Sequence, residues 1–154
     1  MDKKELLRKI QKQADIFFDK TGFPGDTRVE LDDDQETILL SIKLEDPQVL
    51  IGKKGETLGM LQHILTKIAK KIAGDEIKLS LDINDYKKRK TVFLKELAQV
   101  TADEVSLNKR DKELEPMPSY ERRIIHMLLK ERKDVSTESV GEGENRRIVI
   151  RPNE

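Results

Sequence analysis

Two glycines bracket two lysines in the stretch LIGKKGETL, residues 50–58, and this spacing is suited to holding a phosphate. Gly52 and Gly55 have no Cβ, so an anion can approach their backbone to contact distance. Lys53 and Lys54 add two cationic side chains, and the loop leads into a predicted helix whose first N–H groups favour an anion. The alternative interpretation is a tight connector between two helices, for which the glycines alone suffice.

Apolar residues surround this loop and predict a second role for it. They are expected to offer a surface on which an unstacked base can lie: Val49, Leu50, Ile51 and Leu58. A grip on the backbone beside an apolar groove is what the reading of a short single strand requires. We therefore predict RNA contacts from Ile51 and Leu58 as well as from residues 52–55.

Arg122 and His126, in YERRIIHMLL, form a second pair of candidates because they lie four apart on a predicted helix and share one face. Arginine offers phosphate a planar, bidentate donor. Histidine can stack on a base or donate to phosphate. The helical wheel places both residues beside the apolar stripe, at the expected edge of a sheet. The alternative is a surface arginine next to a half-buried histidine that is bonded to a nearby carbonyl.

The composition of the 154-residue chain excludes several classes of protein. Cysteine is absent, so neither a disulfide framework nor a thiolate zinc site is available. Neither a signal peptide nor a run of about 20 apolar residues is visible. Asp32, Asp33 and Asp34 lack the glycine and the distal glutamate of a calcium loop, so we expect no metal site there. We predict a cytoplasmic protein without cofactor or catalytic residues, and without insertion into a membrane.

The charges are balanced overall but unevenly distributed. The chain carries 30 Lys plus Arg and 30 Asp plus Glu, which argues against coating of nucleic acid by charge alone. The stretch ELDDDQE at 30–36 is almost wholly acidic, whereas YKKRK at 86–90 contains no acid. Such separation steers a polyanion towards one face. Whether residues 87–90 contact phosphate or simply begin a helix in solvent stays open.

Hydrophobic periodicity predicts a first domain over residues 1–83, in the order helix, strand, strand, helix, helix, strand. A second domain is predicted over residues 84–154, where Asn84 or Asp85 is expected to cap a long helix. That helix is expected to carry four apolar residues inward: Phe93, Leu94, Leu97 and Val100. An extended piece at ELEPMP, a helix from Pro118 and a hairpin across GEGEN complete an α+β chain of two small domains.

The first domain resembles a type II KH domain, in its element order αββααβ and in the position of its Gly-x-x-Gly loop between two helices. The stretches EPMPSYERRIIHMLL and STESVGEGENRRIVI resemble the domain named for its Arg-x-x-x-His motif, the R-three-H domain. That resemblance implies a three-stranded sheet with helices on one side, which binds single-stranded nucleic acid. Arg122 and His126 fall on the motif positions, and Arg146 and Arg147 are assigned as further RNA contacts.

A KH domain that runs directly into an R-three-H domain is similar to the bacterial Jag family, also called KhpB or EloR. The resemblance covers nearly the whole chain and implies RNA binding in the cytoplasm and pairing with a small single-KH partner protein. It also implies links to cell elongation and to the membrane insertase. Many family members carry a further N-terminal domain and linker, whereas this chain begins within the first KH helix.

Two functions are therefore weighed. The first is a non-catalytic protein that binds single-stranded RNA, as a post-transcriptional regulator or RNA chaperone, with single-stranded DNA left open as a further ligand. The alternative is a protein-interaction adaptor that pairs with another KH protein and acts in cell elongation or membrane-protein insertion.

Overall fold

A computed structural model describes residues 1–154, and the chain divides into two compact units, residues 1–87 and residues 88–154. None of its helices combines the length and the apolar composition that crossing a membrane requires.

The first unit contains three helices and a three-stranded sheet. Its elements are α1 (Lys3–Lys20), β1 (Asp26–Leu31), β2 (Thr37–Lys43), α2 (Gln48–Ile51), α3 (Glu56–Ala73) and β3 (Lys78–Ile83). A 3-10 turn, Lys53–Gly55, joins α2 to α3. The strand order is β1-β2-β3, with β1 antiparallel to β2 and β2 parallel to β3. The predicted order αββααβ is confirmed.

The core of the first unit lies between one face of this sheet and the helices α1 and α3. Side chains alternate between the two faces of a strand, so every second residue of β2 and β3 is buried: Ile38, Leu40, Ile42, Leu79, Leu81 and Ile83. The helices contribute stripes near a period of about 3.6 residues: Ile10, Ala14 and Phe18 from α1, and Leu58, Leu65 and Ala69 from α3. This packing holds α3, and therefore the loop at its start, against the sheet.

The second unit contains two helices that pack on one face of a second three-stranded sheet. Its elements are α4 (Tyr86–Asn108), β4 (Lys112–Glu113), α5 (Ser119–Leu129), β5 (Val135–Val140) and β6 (Arg147–Pro152). The strand order is β4-β6-β5, and both pairings are antiparallel. The prediction of a three-stranded sheet with helices on one side is confirmed.

The predicted inward face of α4 is partly wrong. Phe93 and Val100 are 54% and 57% exposed, whereas Leu94 is buried as expected. The buried stripe continues through small residues: Ala98, Thr101, Ala102 and Val105. Small side chains allow α4 to approach the sheet closely, and a search for bulky apolar residues overlooks them.

The start of α4 is capped from a position that the sequence analysis missed. Asp82, at the end of β3, accepts the backbone N–H of Lys87 at Oδ1 with a distance of 3.1 Å. Asn84 and Asp85, the predicted caps, both have positive φ angles, of 50° and 57°. The Asn84 amide instead bonds both backbone groups of Leu44, each at 2.8 Å, and so fixes the turn that leads out of β3.

Candidate nucleic-acid interface

The Gly52–Gly55 loop has positive φ angles at both ends, which favour glycine. Gly52 has φ 73° and ψ −179°, a combination essentially confined to glycine. A Cβ on Gly52 would lie 2.2 Å from Oγ1 of Thr57. Gly55 has φ 78°, and a Cβ there would lie 3.2 Å from the ring of Tyr86. The loop therefore has a defined shape, and the two lysines between the glycines are both exposed.

The loop is positioned by the helices on either side. The N–H of Gly52 donates to the carbonyl of Gln48 at 2.9 Å and ends α2, and the N–H of Gly55 donates to the carbonyl of Gly52 at 3.3 Å. Helix α3 then begins at Glu56 with no side chain bonded to its N-terminus. The first N–H groups of a helix have no partner within it, so this end of α3 is suited to an anion.

Three of the four apolar residues that were predicted to form a surface beside the loop are buried. Ile51 and Leu58 are each 3% exposed and belong to the core beneath the loop, and Leu50 is buried with them. Of the four expected residues only Val49 is exposed, at 59%. Ile51 and Leu58 therefore anchor α2 and α3 to the core and, in this structure, present no face to a base.

Arg122 and His126 lie against two hydroxyl groups of β5. The imidazole Nδ1 of His126 is 2.6 Å from Oγ1 of Thr137, and its Nε2 is 3.1 Å from Oγ of Ser139. The guanidinium of Arg122 donates to the same Ser139 oxygen at 3.4 Å and to the carbonyl of Met117 at 3.1 Å. The predicted grouping of the guanidinium and the imidazole on one helix face, beside a strand, is confirmed.

The electrostatics of this group favour a neutral imidazole in the free protein. Partial burial, with the nearby charge of Arg122 as the smaller cause, lowers the pKa of His126 below its usual value. In one consistent arrangement of protons, Nδ1–H donates to Thr137 and Nε2 accepts from the hydroxyl of Ser139. The Ser139 oxygen then accepts from Arg122. An arriving phosphate would favour the charged imidazole instead.

The sequence did not predict that Thr137 and Ser139 contact the Arg122–His126 pair. They occupy alternate positions of β5 and pair with Ile150 and Ile148, so their side chains lie on the face that carries the helices. The signal was present in VSTESV, whose alternate residues Val135, Thr137 and Ser139 share one face. Which helix residues they meet depends on tertiary packing, which local spacing does not reveal.

The side chains of the adjacent residues Arg146 and Arg147 make different contacts. Arg147 pairs with Val140 at the start of β6 and extends over the outer face of the sheet, where it contacts Glu113 at 2.8 Å. Hydrogen bonding to Arg147, together with its charge, lowers the pKa of Glu113. Arg146 has an extended backbone, so alternation places it on the inner side, and it donates to the carbonyl of Gly141 at 2.9 Å. Alternation therefore predicts that Arg146, and not Arg147, shares a face with Ser139.

The basic stretch YKKRK is only partly available to a ligand. The ammonium of Lys87 donates to Oε1 of Gln62 at 2.8 Å and to Oγ of Ser80 at 3.1 Å. Burial lowers the pKa of Lys87, although Asp82 opposes the effect. Lys90 lies 3.9 Å from the buried carboxylate of Glu121 and 5.4 Å from the centre of the Phe93 ring. Lys88 and Arg89 are exposed.

Two family models match the chain in succession. The model described as a KH domain matches residues 9–91, and the model described as an R-three-H domain matches residues 92–152. The glycine–lysine loop lies in the first match, and Arg122 and His126 lie in the second.

Curated relatives span nearly the whole chain. A protein of Clostridium symbiosum, named RNA-binding protein KhpB, is 36% identical over 148 residues, which cover 96% of this chain and 67% of that protein. The chain belongs to the KhpB family. A KhpB protein of Bacillus subtilis is 35% identical over 152 residues, covering 95% of this chain and 73% of its own length. A KhpB protein of Streptococcus pneumoniae is 28% identical over 119 residues, which are 36% of its length.

Membership of the KhpB family confirms the resemblance to the Jag family drawn from the sequence. It also confirms that a KH domain is followed directly by an R-three-H domain. The two family models meet at residues 91 and 92, inside α4, whereas the compact units divide between residues 87 and 88 of the same helix.

Proposed function

We propose that this chain is a non-catalytic, cytoplasmic protein that binds single-stranded RNA through two modules. The first module grips the backbone with the loop from Gly52 to Gly55, and the second contributes Arg122, His126 and Arg146. Its relatives are named RNA-binding proteins, which supports the ligand class. A role as a post-transcriptional regulator or RNA chaperone suits a protein that binds short single strands without altering them.

The observation that carries this proposal is the geometry of the loop. Two glycines hold backbone conformations that are strained for other residues, and the loop ends at an uncapped helix N-terminus. Lys53 and Lys54 are exposed at the same point. A connector between two helices needs neither the two cations nor the open N-terminus, so the combination favours a phosphate ligand.

Two modules on one chain bind more tightly than either does alone. Once one module holds the strand, the other meets it at a high effective concentration. The KH module holds about four nucleotides in this class of domain. A strand longer than that footprint can therefore engage both modules, provided that its length spans the two sites.

The test is a pair of matched double substitutions. Lys53→Glu with Lys54→Glu reverses the loop charge, and Lys67→Glu with Lys71→Glu makes the same charge change at exposed positions elsewhere on α3. We expect the loop variant to lose about tenfold or more in affinity for a single-stranded RNA, since charge-assisted hydrogen bonds to phosphate are lost. Its salt dependence should fall by about 0.7 in slope for each lost contact.

The control variant should lose much less affinity and keep the wild-type salt slope. Equal losses in the two variants would mean that net charge alone governs binding, and the clamp would be rejected. The same oligonucleotide made as DNA decides whether the 2′-hydroxyl contributes to recognition.

An apolar patch on α3 favours a second candidate function, an adaptor that pairs with a small single-KH protein. Met60 and Ile64 are one turn apart and both exposed, on a side of α3 away from the loop glycines. Met60→Lys with Ile64→Lys should abolish pairing, measured by light scattering with a purified single-KH protein, and should leave RNA affinity nearly unchanged. Pairing that persists in this variant would exclude the patch as the interface.

A further inference from the structure

A stripe of two glycines and one glutamine runs along α3 from the loop. Gly55, Gly59 and Gln62 are spaced by four and then three residues, so they follow one another on one flank of the helix. A Cβ built on Gly59 meets no atom within 4 Å, which marks open space above the helix backbone. The ring of Tyr86 lies over Gly55 at the near end of this stripe. Gln62 lies at the far end, about 10 Å from Gly55 along the helix axis.

The side chain of Gln62 is fixed by two neighbouring groups, a backbone N–H and an ammonium. Its Oε1 accepts the backbone N–H of Leu81 at 3.0 Å, on the free edge of β3, and it accepts the ammonium of Lys87 at 2.8 Å. Lys87 is held in turn by Ser80 at 3.1 Å. Both groups that face Oε1 are donors, so the orientation of the amide follows from the chemistry of its neighbours.

The amide nitrogen of Gln62 faces solvent. It bonds to no group of the chain, and no buried side-chain nitrogen or oxygen lacks a partner. The carbonyl oxygen has two lone pairs and already accepts two hydrogen bonds. Gln62 therefore presents only donors to a ligand that lies on the stripe.

A donor-only amide discriminates between bases. Glutamine recognises adenine by accepting from N6 and donating to N7 at the same time, which requires a free carbonyl oxygen. That oxygen is occupied by Leu81 and Lys87. A base that presents a carbonyl oxygen, such as guanine or uracil, can accept from Nε2 at that oxygen. Adenine can accept only at a ring nitrogen, and its six-position amino group, which lies beside N1 and N7, would then stand as a second donor next to the Gln62 amide.

We infer that Gln62 reads one nucleobase on the stripe beside the loop and selects a base with a carbonyl acceptor over adenine. Tyr86 and the bare backbone at Gly59 leave room for the planar base, and Lys87 and Ser80 are positioning residues for the amide. This inference rests on the proposed function and adds to it a base preference.

The test uses adenosine and inosine, which differ in the six-position amino or carbonyl group and in the N1 proton. An all-adenosine single strand and the same strand with one central inosine are titrated into the wild-type protein, and the inosine is also moved to the two adjacent positions. We expect the inosine oligomer to bind about three to ten times more tightly at one position, the effect of one hydrogen bond.

Gln62→Glu provides the decisive variant, because a carboxylate keeps the bonds to Leu81 and Lys87 and turns the outward donor into an acceptor. We expect this variant to lose the inosine preference or to favour adenosine. Gln13→Glu, at an exposed position of α1, makes the same charge change and should retain the wild-type preference. A Gln62→Glu protein that still prefers inosine, or a wild type that never does, overturns the inference alone. A wild type that binds no oligomer rejects the proposed function as well.

Gly59→Leu tests the stripe independently of the amide. The substitution places a side chain in open space on a regular helix, so folding should be preserved or improved. We expect a loss of about tenfold or more in RNA affinity. Wild-type affinity together with wild-type base preference would show that no base lies on the stripe.

Discussion

The Oγ atom of Ser139 lies 3.1 Å from Nε2 of His126, and this contact ties the imidazole to β5. The same oxygen receives the guanidinium of Arg122 at 3.4 Å, so one hydroxyl links the two residues of the motif. The linkage gives the pair a common neighbour that a change in either residue disturbs. Spacing along α5 places the two residues on one face, but β5 determines how they are held there.

The shared contact predicts that the effects of Arg122 and His126 on RNA binding do not add. Arg122→Ala and His126→Ala should each weaken binding, and the double variant should be little worse than the more damaging single variant. The measurement is a double-mutant cycle of dissociation constants with one single-stranded RNA. Strictly additive losses would mean that the two side chains act on different parts of the ligand.

Binding at this site should take up protons. The pKa of His126 is lowered in the free protein, and a phosphate beside the ring should raise it. A ligand that raises a pKa binds more tightly as pH falls through the range between the bound and the free pKa, and the lower end of that range lies below the ordinary histidine pKa of about 6.5. Affinity measured across that range should rise in the wild type and change less in His126→Gln. Parallel pH profiles for the two proteins would exclude a phosphate at His126.

The same lowered pKa makes folding sensitive to acid. The unfolded chain binds a proton at His126 near the ordinary pKa of about 6.5, whereas the folded protein resists it to lower pH. The free energy of unfolding should therefore decline as pH falls below about 6.5. Urea titrations at several pH values should show a shallower decline for His126→Gln. A decline of equal steepness would assign the acid sensitivity to other groups.

Arg146 and Arg147 should separate into a binding residue and a structural residue. Arg146→Ala should weaken RNA binding and reduce the salt slope by about 0.7, the contribution of one phosphate contact on a single strand. Arg147→Ala should leave affinity nearly unchanged and slightly lower the denaturant midpoint, because it removes the ion pair with Glu113. The two variants carry the same charge change and so act as controls for each other.

Two glycines on either side of the start of α3 should respond to alanine in opposite directions. Gly52→Ala places a Cβ 2.2 Å from Thr57 Oγ1, in a conformation that costs about 1–3 kcal/mol for other residues. Gly59→Ala meets open space inside a helix and should stabilise the protein by about 0.5–1 kcal/mol. Thermal or urea unfolding measures both. A tolerated Gly52→Ala would mean that the loop can adopt another shape.

The elements of this protein follow from its sequence because their apolar residues repeat with the period of the structure they form. The stripe Leu58, Leu65 and Ala69 defines α3, and the alternation of Leu79, Leu81 and Ile83 defines β3. The same reasoning placed Arg122 and His126 on one face. Local periodicity also identified the glycine–lysine loop as the link between two helices.

Features that depend on a distant neighbour could not be predicted from spacing. Ile51 and Leu58 flank the loop in sequence, but their side chains point into the core because α3 packs on the sheet. The prediction for the inner face of α4 is partly wrong because Ala98 and Ala102 are small: they let the helix approach the sheet closely instead of filling the core with bulky side chains. Gln62 could not be predicted from the sequence, since the orientation of its amide depends on contacts with Leu81, at the edge of β3, and with Lys87.

The ion pairs on the outer face of the second sheet make that face, the back of the module, different from the face that carries the helices, the front. Arg147 and Arg151 bond to three carboxylates, those of Glu113, Glu138 and Asp111, and they flank the buried Val149. Two cations against three anions give these five side chains a net charge of −1, so we expect this face to attract a nucleic-acid backbone less than the opposite face does. Under the proposed function, we therefore expect a strand to bind the opposite face, the front, where Arg122 and His126 lie and where Arg146 is predicted to lie. The balanced overall charge of the chain is therefore compatible with an uneven distribution, in which acids on one face of the module and bases on the other would favour a single side for the ligand.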